Sequence, residues 1–221
     1  MDAHKLQLKI YATPATAKGF DPEAVIPVYH RWIKDHALPE LTIDVANYGH
    51  VPEGPGVVLI GHGSDYFLDE GEGRLGLLHN RKRSGFAPGE RLSDLARRTL
   101  HAAALLEKDL AGKLAFATNE LLFRVNDRLA APNTDATFAA LKGELEALGK
   151  QLFAAPFELQ RVGGPKELFA VRFKTAASAP LATLLDRAGG PPAADASLVA
   201  CPPLTSPLRT SPAPRERSPS R

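Results

Sequence analysis

Short alternating apolar segments, separated by helical segments, are the feature that most constrains how this chain folds. Residues 6–10 alternate apolar with polar side chains, which is typical of a strand with one buried face. Asp21-Pro22-Glu23 then begins an amphipathic helix, and residues 41–45 alternate again. Pro27 lies inside the helical pattern, so the helix either kinks or begins there. This succession predicts an α+β fold.

The middle of the chain continues the same pattern. Residues 57–60 form an uninterrupted apolar run, which predicts a central strand covered on both faces. Residues 66–68 and 74–78 flank an acidic segment at 69–73 and predict a hairpin with an acidic tip. A long amphipathic helix follows, from about residue 89 to residue 109.

The second half of the folded part has a similar order of elements. Its predicted elements are strands at 114–117 and 121–125, a polar loop, a helix capped by Thr134, strands at 157–162 and 168–173, and a short helix at 181–187. Both halves thus contain a βαββ-type unit, and together they predict a pseudo-duplicated sandwich of mixed sheet and helices. The alternative is that βαββ units are simply a common way to build an α+β domain.

Composition divides the chain near residue 189. Eight of the 19 prolines lie in residues 189–221, where periodic apolar positions are scarce, so this segment is predicted to be a disordered tail. Its Ser-Pro pairs suit either a docking or modification segment or an appendage without a role. Residues 1–188 are predicted to form a single α+β globular domain, with subunits at about 1–110 and 111–188.

The charge balance and the cysteine count exclude several protein classes. Four of the 27 basic and two of the 25 acidic residues lie in the tail, so residues 1–188 carry 23 of each. A neutral folded part argues against a nucleic-acid binder, which needs a basic face. The lone Cys201 excludes an intramolecular disulfide framework, and no apolar run is long enough to span a membrane. We therefore expect a soluble cytoplasmic protein.

A glycine-flanked histidine follows the apolar run at 57–60. In Gly61-His62-Gly63-Ser64-Asp65 the glycines let a ligand approach the backbone, and the imidazole at the rim of a sheet suits proton transfer or metal binding. His62 and Ser64 face the same way if the segment is extended. The string resembles the opening motif of the sirohydrochlorin-type metal chelatases. That resemblance implies that His62 binds the inserted metal.

The spacing of the histidines favours no resident metal. No pair has the His-x-x-x-His spacing of a helical metal site, so a metal at His62 needs ligands brought together by the tertiary fold. The sequence also lacks the Gly-x-Ser-x-Gly pattern of an esterase nucleophile. We therefore predict no metal ligands and identify no cofactor.

Two further polar segments are candidates for binding an anion or a substrate. Asn126-Asp127-Arg128 follows a predicted strand, and strand ends are where many sheets place ligand-binding groups. Arg81-Lys82-Arg83 is a run of three cations close to a predicted helix N-terminus, which suits a phosphate or carboxylate subsite. The alternative for this run is neutralisation by the neighbouring acidic residues on a solvated face.

Two longer strings carry a second resemblance. The strings at 54–62 and 126–135 together resemble an uncharacterised family of bacterial proteins, over most of residues 5–187. This family implies no activity.

These observations lead to two hypotheses. The first is a cytoplasmic small-molecule-binding protein or enzyme with a histidine-centred polar site. Its predicted catalytic residues are His62, Asp65 and Asp127, and its predicted substrate-binding residues are Ser64, Arg81, Asn126 and Arg128. The alternative is a noncatalytic subunit or adaptor, which an exposed apolar patch on the helix that carries Trp32 or Leu148 would favour. Either function is compatible with an oligomer.

Overall fold

The computed structural model describes residues 5–51, 54–82 and 89–195. The strands are β1 (Leu6–Ala12), β2 (Thr42–Asn47), β3 (Val57–Gly61), β4 (Ser64–Asp69), β5 (Gly76–Arg81), β6 (Phe116–Val125), β7 (Phe157–Val162) and β8 (Phe169–Thr175). The α-helices are α1 (Pro14–Ala17), α2 (Ile26–Asp35), α3 (Arg91–Asp109), α4 (Asp135–Phe153) and α5 (Leu181–Arg187). The predicted α+β class is confirmed. Arg83, Cys201 and the rest of the predicted tail from residue 196 lie outside the described residues.

The eight strands form one sheet in the order β2-β3-β4-β5-β1-β6-β8-β7. Every pairing between neighbours in this sheet is antiparallel, so it is not the mixed sheet predicted from the sequence. Short connections join β3 to β4, β4 to β5 and β7 to β8, and such connections allow only antiparallel pairing. The predicted central strand, β3, is buried on both faces as expected, but it lies next to the edge strand β2.

The helices pack on one face of the sheet and form the core with it. Helix α3 contacts β1 and β5, while α4 contacts β7 and β8. Leu8 and Ile10 of β1 are fully buried in the same apolar cluster as Leu95 of α3 and Leu145 of α4. Burial of each such side chain contributes about 2 kcal/mol to folding. Within the described ranges, no helix has the length and apolar character needed to cross a bilayer.

The other face of the sheet carries the alternate side chains of the strands. Tyr11, Leu122 and Ala170 form a separate small apolar cluster there, which contains no helix residue from the described part of the chain. We call this surface the open face. It also carries most of the charged side chains that the central strands contribute.

Local sequence determines where α2 and α4 begin. Pro27 is in the first turn of α2, where a missing backbone N–H costs little, so the helix begins there and does not kink. Asp21 caps the preceding 3-10 turn by accepting a hydrogen bond from the Glu23 N–H at 2.9 Å. Thr134 caps α4, as predicted. The two strands predicted at 114–125 are a single long strand, β6.

The first residues of the predicted tail contact the folded part. The backbone N–H of Asp195 donates to the carbonyl oxygen of Pro39 at 2.6 Å. Its carboxylate accepts a hydrogen bond of 2.6 Å from Arg98 on α3. Asp195 therefore holds the chain beside the start of β2.

His79 of β5 is a fully buried titratable side chain on the helix-covered face. Its ring stacks on Tyr66 with a centroid distance of 4.6 Å. Because the Thr99 hydroxyl donates to the Leu95 carbonyl at 2.7 Å, it accepts from His79 Nδ1, 3.1 Å away. The Nε2 atom has no hydrogen-bond partner among the described residues. Burial, assisted by the charges of Arg98 and Arg81, lowers the pKa of His79 to about 3.

We expect His79 to make the protein less stable as the solution becomes acidic. Between pH 6.5 and about 3 the unfolded chain binds a proton at His79 that the folded chain excludes. The free energy of unfolding should therefore fall by about 1.4 kcal/mol per pH unit over this range because of this residue. Replacing His79 with Phe, which keeps a ring beside Tyr66, should remove that part of the slope. Urea unfolding between pH 4.5 and pH 6.5 measures it.

The exposed His30 provides the matched control, because His30→Phe should keep the wild-type slope. Burial raises the pKa of Glu40, which has the opposite effect on stability, but this contribution is common to all three proteins. An H79F slope equal to that of the wild type would contradict the assignment.

Candidate functional site

His62, the centre of the predicted site, lies in the turn between β3 and β4 and is exposed. Its backbone N–H donates to the Leu41 carbonyl at 2.8 Å. The flanking glycines have a packing role, because a Cβ on Gly63 would lie 3.1 Å from the Glu40 carboxylate and one on Gly61 would lie 2.6 Å from the Ser64 carbonyl oxygen.

Ser64 and Arg81 are the two predicted site residues that the structure brings together. They are paired across β4 and β5, and both are buried on the helix-covered face. Ser64 stabilises the Glu40 carboxylate, which also accepts a hydrogen bond of 2.7 Å from Tyr66. Arg81 pairs with Asp94 at 3.5 Å. They thus belong to a buried polar cluster.

Asp65 faces the opposite way from Ser64, on the open face. Its carboxylate accepts hydrogen bonds from Lys82 at 2.7 Å and from Asn80 at 3.5 Å. Asn80 in turn accepts a hydrogen bond of 3.1 Å from Gln7. Asp65, Asn80 and Gln7 therefore form a row of hydrogen-bonded polar side chains across β4, β5 and β1.

The Asn126-Asp127-Arg128 segment holds the loop between β6 and α4. The Asp127 carboxylate accepts hydrogen bonds from the backbone N–H groups of Leu129 at 3.1 Å and Ala130 at 3.0 Å. The Arg128 guanidinium donates to the Lys166 carbonyl at 3.0 Å. The Asn126 N–H donates to the Lys5 carbonyl at 2.8 Å.

His62 and the Asn126-Asp127-Arg128 segment lie at the same end of the strands but over different strands of the sheet. The β4 end that follows His62 and the β6 end that precedes Asn126 are separated by β5 and β1. Three interstrand spacings amount to roughly 14 Å. Neither residue lines the cavities over β8, beside α4 or under the β2–β3 loop. Their catalytic and binding roles stay predictions.

A different cluster of charged residues lies on the open face, around Glu72. This residue is in the turn between β4 and β5, and its carboxylate oxygens bind side chains from three strands. Oε1 accepts a hydrogen bond from Arg124 of β6, and Oε2 accepts hydrogen bonds of 3.1 Å from both Arg172 of β8 and the hydroxyl of Tyr11 on β1. Burial raises the pKa of Glu72, but these donors outweigh it and hold that pKa below its ordinary value.

The backbone of Glu72 is in the left-handed region, at φ 65° and ψ 22°. A residue with a side chain adopts this conformation at a cost of about 1 kcal/mol, and such strain occurs often at binding sites. The neighbouring Gly73 is also left-handed, with φ 66°. The contacts of the Glu72 carboxylate help to hold this turn against the open face.

A second carboxylate extends the cluster along the sheet. Glu120 of β6 accepts a hydrogen bond of 2.7 Å from Arg74, and the Arg172 Nε lies 3.2 Å from it. The Arg74 guanidinium lies 3.7 Å from the centre of the Tyr11 ring. Arg172 therefore bridges two carboxylates. Burial and the charge of Glu72 raise the pKa of Tyr11 to about 12.

Lys9 of β1 anchors the turn that carries Glu72. Its side chain is completely buried, and its amine forms an ion pair with Asp69 at the end of β4. The amine also donates to the carbonyl oxygens of Gly71 and Arg74, each at 3.0 Å. Burial lowers the pKa of Lys9, and the charge of Asp69 opposes this shift. This interaction fixes both ends of the turn.

A cavity of about 480 Å³ opens beside this cluster, over β6 and β8. Its size is within the range of sites that bind small molecules. The charged residues that line it are Glu72, Arg124, Glu167 and Arg172, and the apolar ones are Val162, Leu168 and Ala170. Among the described residues, no group of three histidine, cysteine, aspartate or glutamate side chains could hold a metal ion.

The sequence does not predict this cluster, although its members are visible there as charged residues at unusual positions. Arg124 and Arg172 each interrupt an apolar strand pattern, and Glu72 is part of the acidic segment predicted at the tip of a hairpin. A lone arginine in a strand is ordinary on a solvated face. Only the pairing of β1, β6 and β8 brings these positions together.

We expect Lys9 to be essential for stability. In Lys9→Met the Asp69 carboxylate and two carbonyl groups lose their buried partner, so the free energy of unfolding should fall by about 3–5 kcal/mol. Lys5→Met, at an exposed position just before the same strand, should change it by less than about 0.5 kcal/mol. Urea unfolding of the two variants compares them. Equal stability of K9M and K5M would contradict the anchoring role.

Neither a search with models of known protein families nor a search of curated proteins gave a match to this sequence.

Proposed function

We propose that this protein binds a small anionic molecule in the cavity over β6 and β8, through Arg124 and Arg172. One observation carries the proposal: the two guanidinium groups converge on the two oxygens of one carboxylate at the wall of that cavity. Guanidinium groups keep their charge at all physiological pH values and match the geometry of carboxylates and phosphates.

The register of the sheet supports this role. Arg124 is paired with Ala170, and Leu122 is paired with Arg172, so the two arginines are diagonal neighbours on β6 and β8. Diagonal neighbours in a sheet have Cα atoms about 7–8 Å apart, which is within reach of two long side chains that grip one anion. Because regular strands carry both residues, the pair is positioned more rigidly than it would be on loops.

The proposal keeps the small-molecule function expected from the sequence and assigns it to other residues. His62 is exposed, and Ser64 and Arg81 are buried in a polar cluster, whereas Arg124 and Arg172 line an open cavity. We propose a cytoplasmic location, which the single cysteine supports, since reducing compartments need no disulfides. The resemblance of the strings at 54–62 and 126–135 implies a bacterial protein.

The test compares anion binding by the wild type and by Arg172→Met. Benzoate, succinate and inorganic phosphate serve as probes in isothermal titration calorimetry and thermal unfolding. We expect the wild type to bind at least one probe, and R172M to bind it at least about tenfold more weakly, a loss of about 1.4 kcal/mol. Bound probe should also raise the wild-type unfolding temperature.

Arg161→Met is the matched control. Arg161 lies on the neighbouring strand β7, pairs with the exposed Asp135 and does not line the cavity. R161M should bind the probes as the wild type does. The proposal is wrong if the wild type binds none of them, or if R161M loses as much affinity as R172M.

A second candidate function, an interaction protein, is favoured by the apolar edge of β2. The predicted indicators, Trp32 and Leu148, are both buried. However, four of the five large apolar side chains exposed in the described residues lie in or next to β2: Leu41 just before it, Ile43 within it, and Tyr48 and Val51 in the loop after it. An edge strand with unpaired backbone groups and apolar side chains suits pairing with another chain.

If this edge joins two copies, light scattering should give a dimer for the wild type and a monomer for Ile43→Lys. Ile43 is 56 % exposed on the edge, while Leu129 is 96 % exposed in the loop before α4, so Leu129→Lys is the control and should stay dimeric. A wild type that is monomeric at every concentration tested rejects pairing between copies.

We also infer that the sheet is built from two related units, each containing the βαββ order expected from the sequence. In support, each unit begins with a strand and a helix, continues with antiparallel strands whose last member pairs with the first strand, and ends with a helix. The first unit runs from β1 to α3, with one additional hairpin, and the second runs from β6 to α5. Their first strands, β1 and β6, pair with each other.

A further inference from the structure

We propose that Glu72 occupies the place of a ligand carboxylate, so that the natural ligand is an organic monocarboxylate with an apolar body, which displaces Glu72 when it binds. This inference rests on the proposed function of the cavity. It adds the chemical class of the ligand and the group that competes with it.

The binding groups around Glu72 form a complete carboxylate site. Arg124 donates a hydrogen bond to one oxygen, and Arg172 and Tyr11 donate to the other, each from a different strand of the sheet. The carboxylate itself comes from a turn, not from the sheet. The receptor part of the site would therefore remain in place if the carboxylate were supplied by another molecule.

The turn that carries Glu72 is built so that the carboxylate can leave. Glu72 has a left-handed backbone conformation that is unfavourable for a side chain, and its departure would let the backbone relax. Gly73, on its C-terminal side, has open space around it, since an added Cβ would meet no atom of the described residues within 4 Å. Lys9 holds the turn through Gly71 and Arg74, so the movement needs only the residues between them.

The remainder of the cavity indicates which chemical group is joined to the carboxylate of the ligand. Beyond the arginines the wall is apolar and consists of Val162, Leu168 and Ala170. Glu167 adds a negative charge to the lining, which would repel a second acidic group. A monocarboxylate with an apolar body therefore fits better than a dicarboxylate. Arg124, Arg172 and Tyr11 donate hydrogen bonds to the two oxygens of a planar group, which favours a carboxylate over a tetrahedral phosphate.

Because Glu72 is tethered beside the arginines, it competes with any free carboxylate at a high effective concentration. The measured affinity of a ligand is then reduced by the fraction of molecules in which Glu72 has left the site. A variant without the Glu72 charge should bind the ligand more tightly than the wild type. A purely structural ion pair would give the opposite result, since its loss would disturb both arginines.

The experiment measures binding of benzoate, hexanoate, succinate and inorganic phosphate to the full chain by isothermal titration calorimetry. We expect Glu72→Gln to bind benzoate and hexanoate at least about tenfold more tightly than the wild type does. Glu70→Gln is the matched control, because Glu70 is an exposed acidic residue two positions away that does not line the cavity. E70Q should bind as the wild type does.

Glu72→Gly is the second variant, and it guards against misfolding of E72Q. It removes the carboxylate and suits the left-handed backbone, so it should fold and show the same gain in affinity. In both variants succinate and phosphate should gain less than benzoate.

The outcomes separate this inference from the proposed function. If benzoate binds the wild type and R172M abolishes binding, but E72Q and E72G bind no more tightly than the wild type, Glu72 is not a competitor and the inference is overturned while the binding function stands. If succinate or phosphate gains most, the ligand class is wrong. If the wild type binds no probe, the proposed function fails, and this inference fails with it.

Discussion

The antiparallel pairing of β1 with β6 is the interaction on which the rest of the structure depends. These two strands begin the two halves of the chain and lie side by side within the sheet. Their pairing places Lys9 directly opposite Leu122 and brings Tyr11 within reach of the side chains on β6 and β8. Without this pairing, Glu72 in the first half would lose its hydrogen bonds from Arg124 and Arg172, and these two arginines in the second half would face solvent.

The open face combines charges that would be costly if they were buried singly. Glu72 and Glu120 share Arg172, and each has a second arginine of its own. Such a shared network keeps the ionised forms favourable in a partly desolvated place. It also explains why a folded part with balanced overall charge contains a local concentration of guanidinium groups. Net charge describes the whole surface and says little about one cavity.

The elements of the fold were largely predictable from local sequence, and the site was not. Alternation predicts β1 and β2, the apolar run predicts β3, and the capping residues at 21 and 134 predict where helical structure begins. The site depends on contacts between residues far apart in the chain: Glu72 is 52 residues from Arg124 and 100 from Arg172. Periodicity reports which face of a strand is buried, but it contains no information about which strands pair. The glycines of the Gly-His-Gly string have a local packing role instead, because they lie against the carboxylate of the buried Glu40.

Asp195 is the last residue that the structure describes, and its contacts fix its position beside the sheet. Its contacts with Pro39 and Arg98 place it at the β2 end of the sheet, whereas the cavity lies over β6 and β8, on the far side of β1. The strands β3, β4, β5 and β1 lie between β2 and the first of the two strands under the cavity. A fluorophore attached at Asp195 would therefore lie well away from the arginines of the cavity.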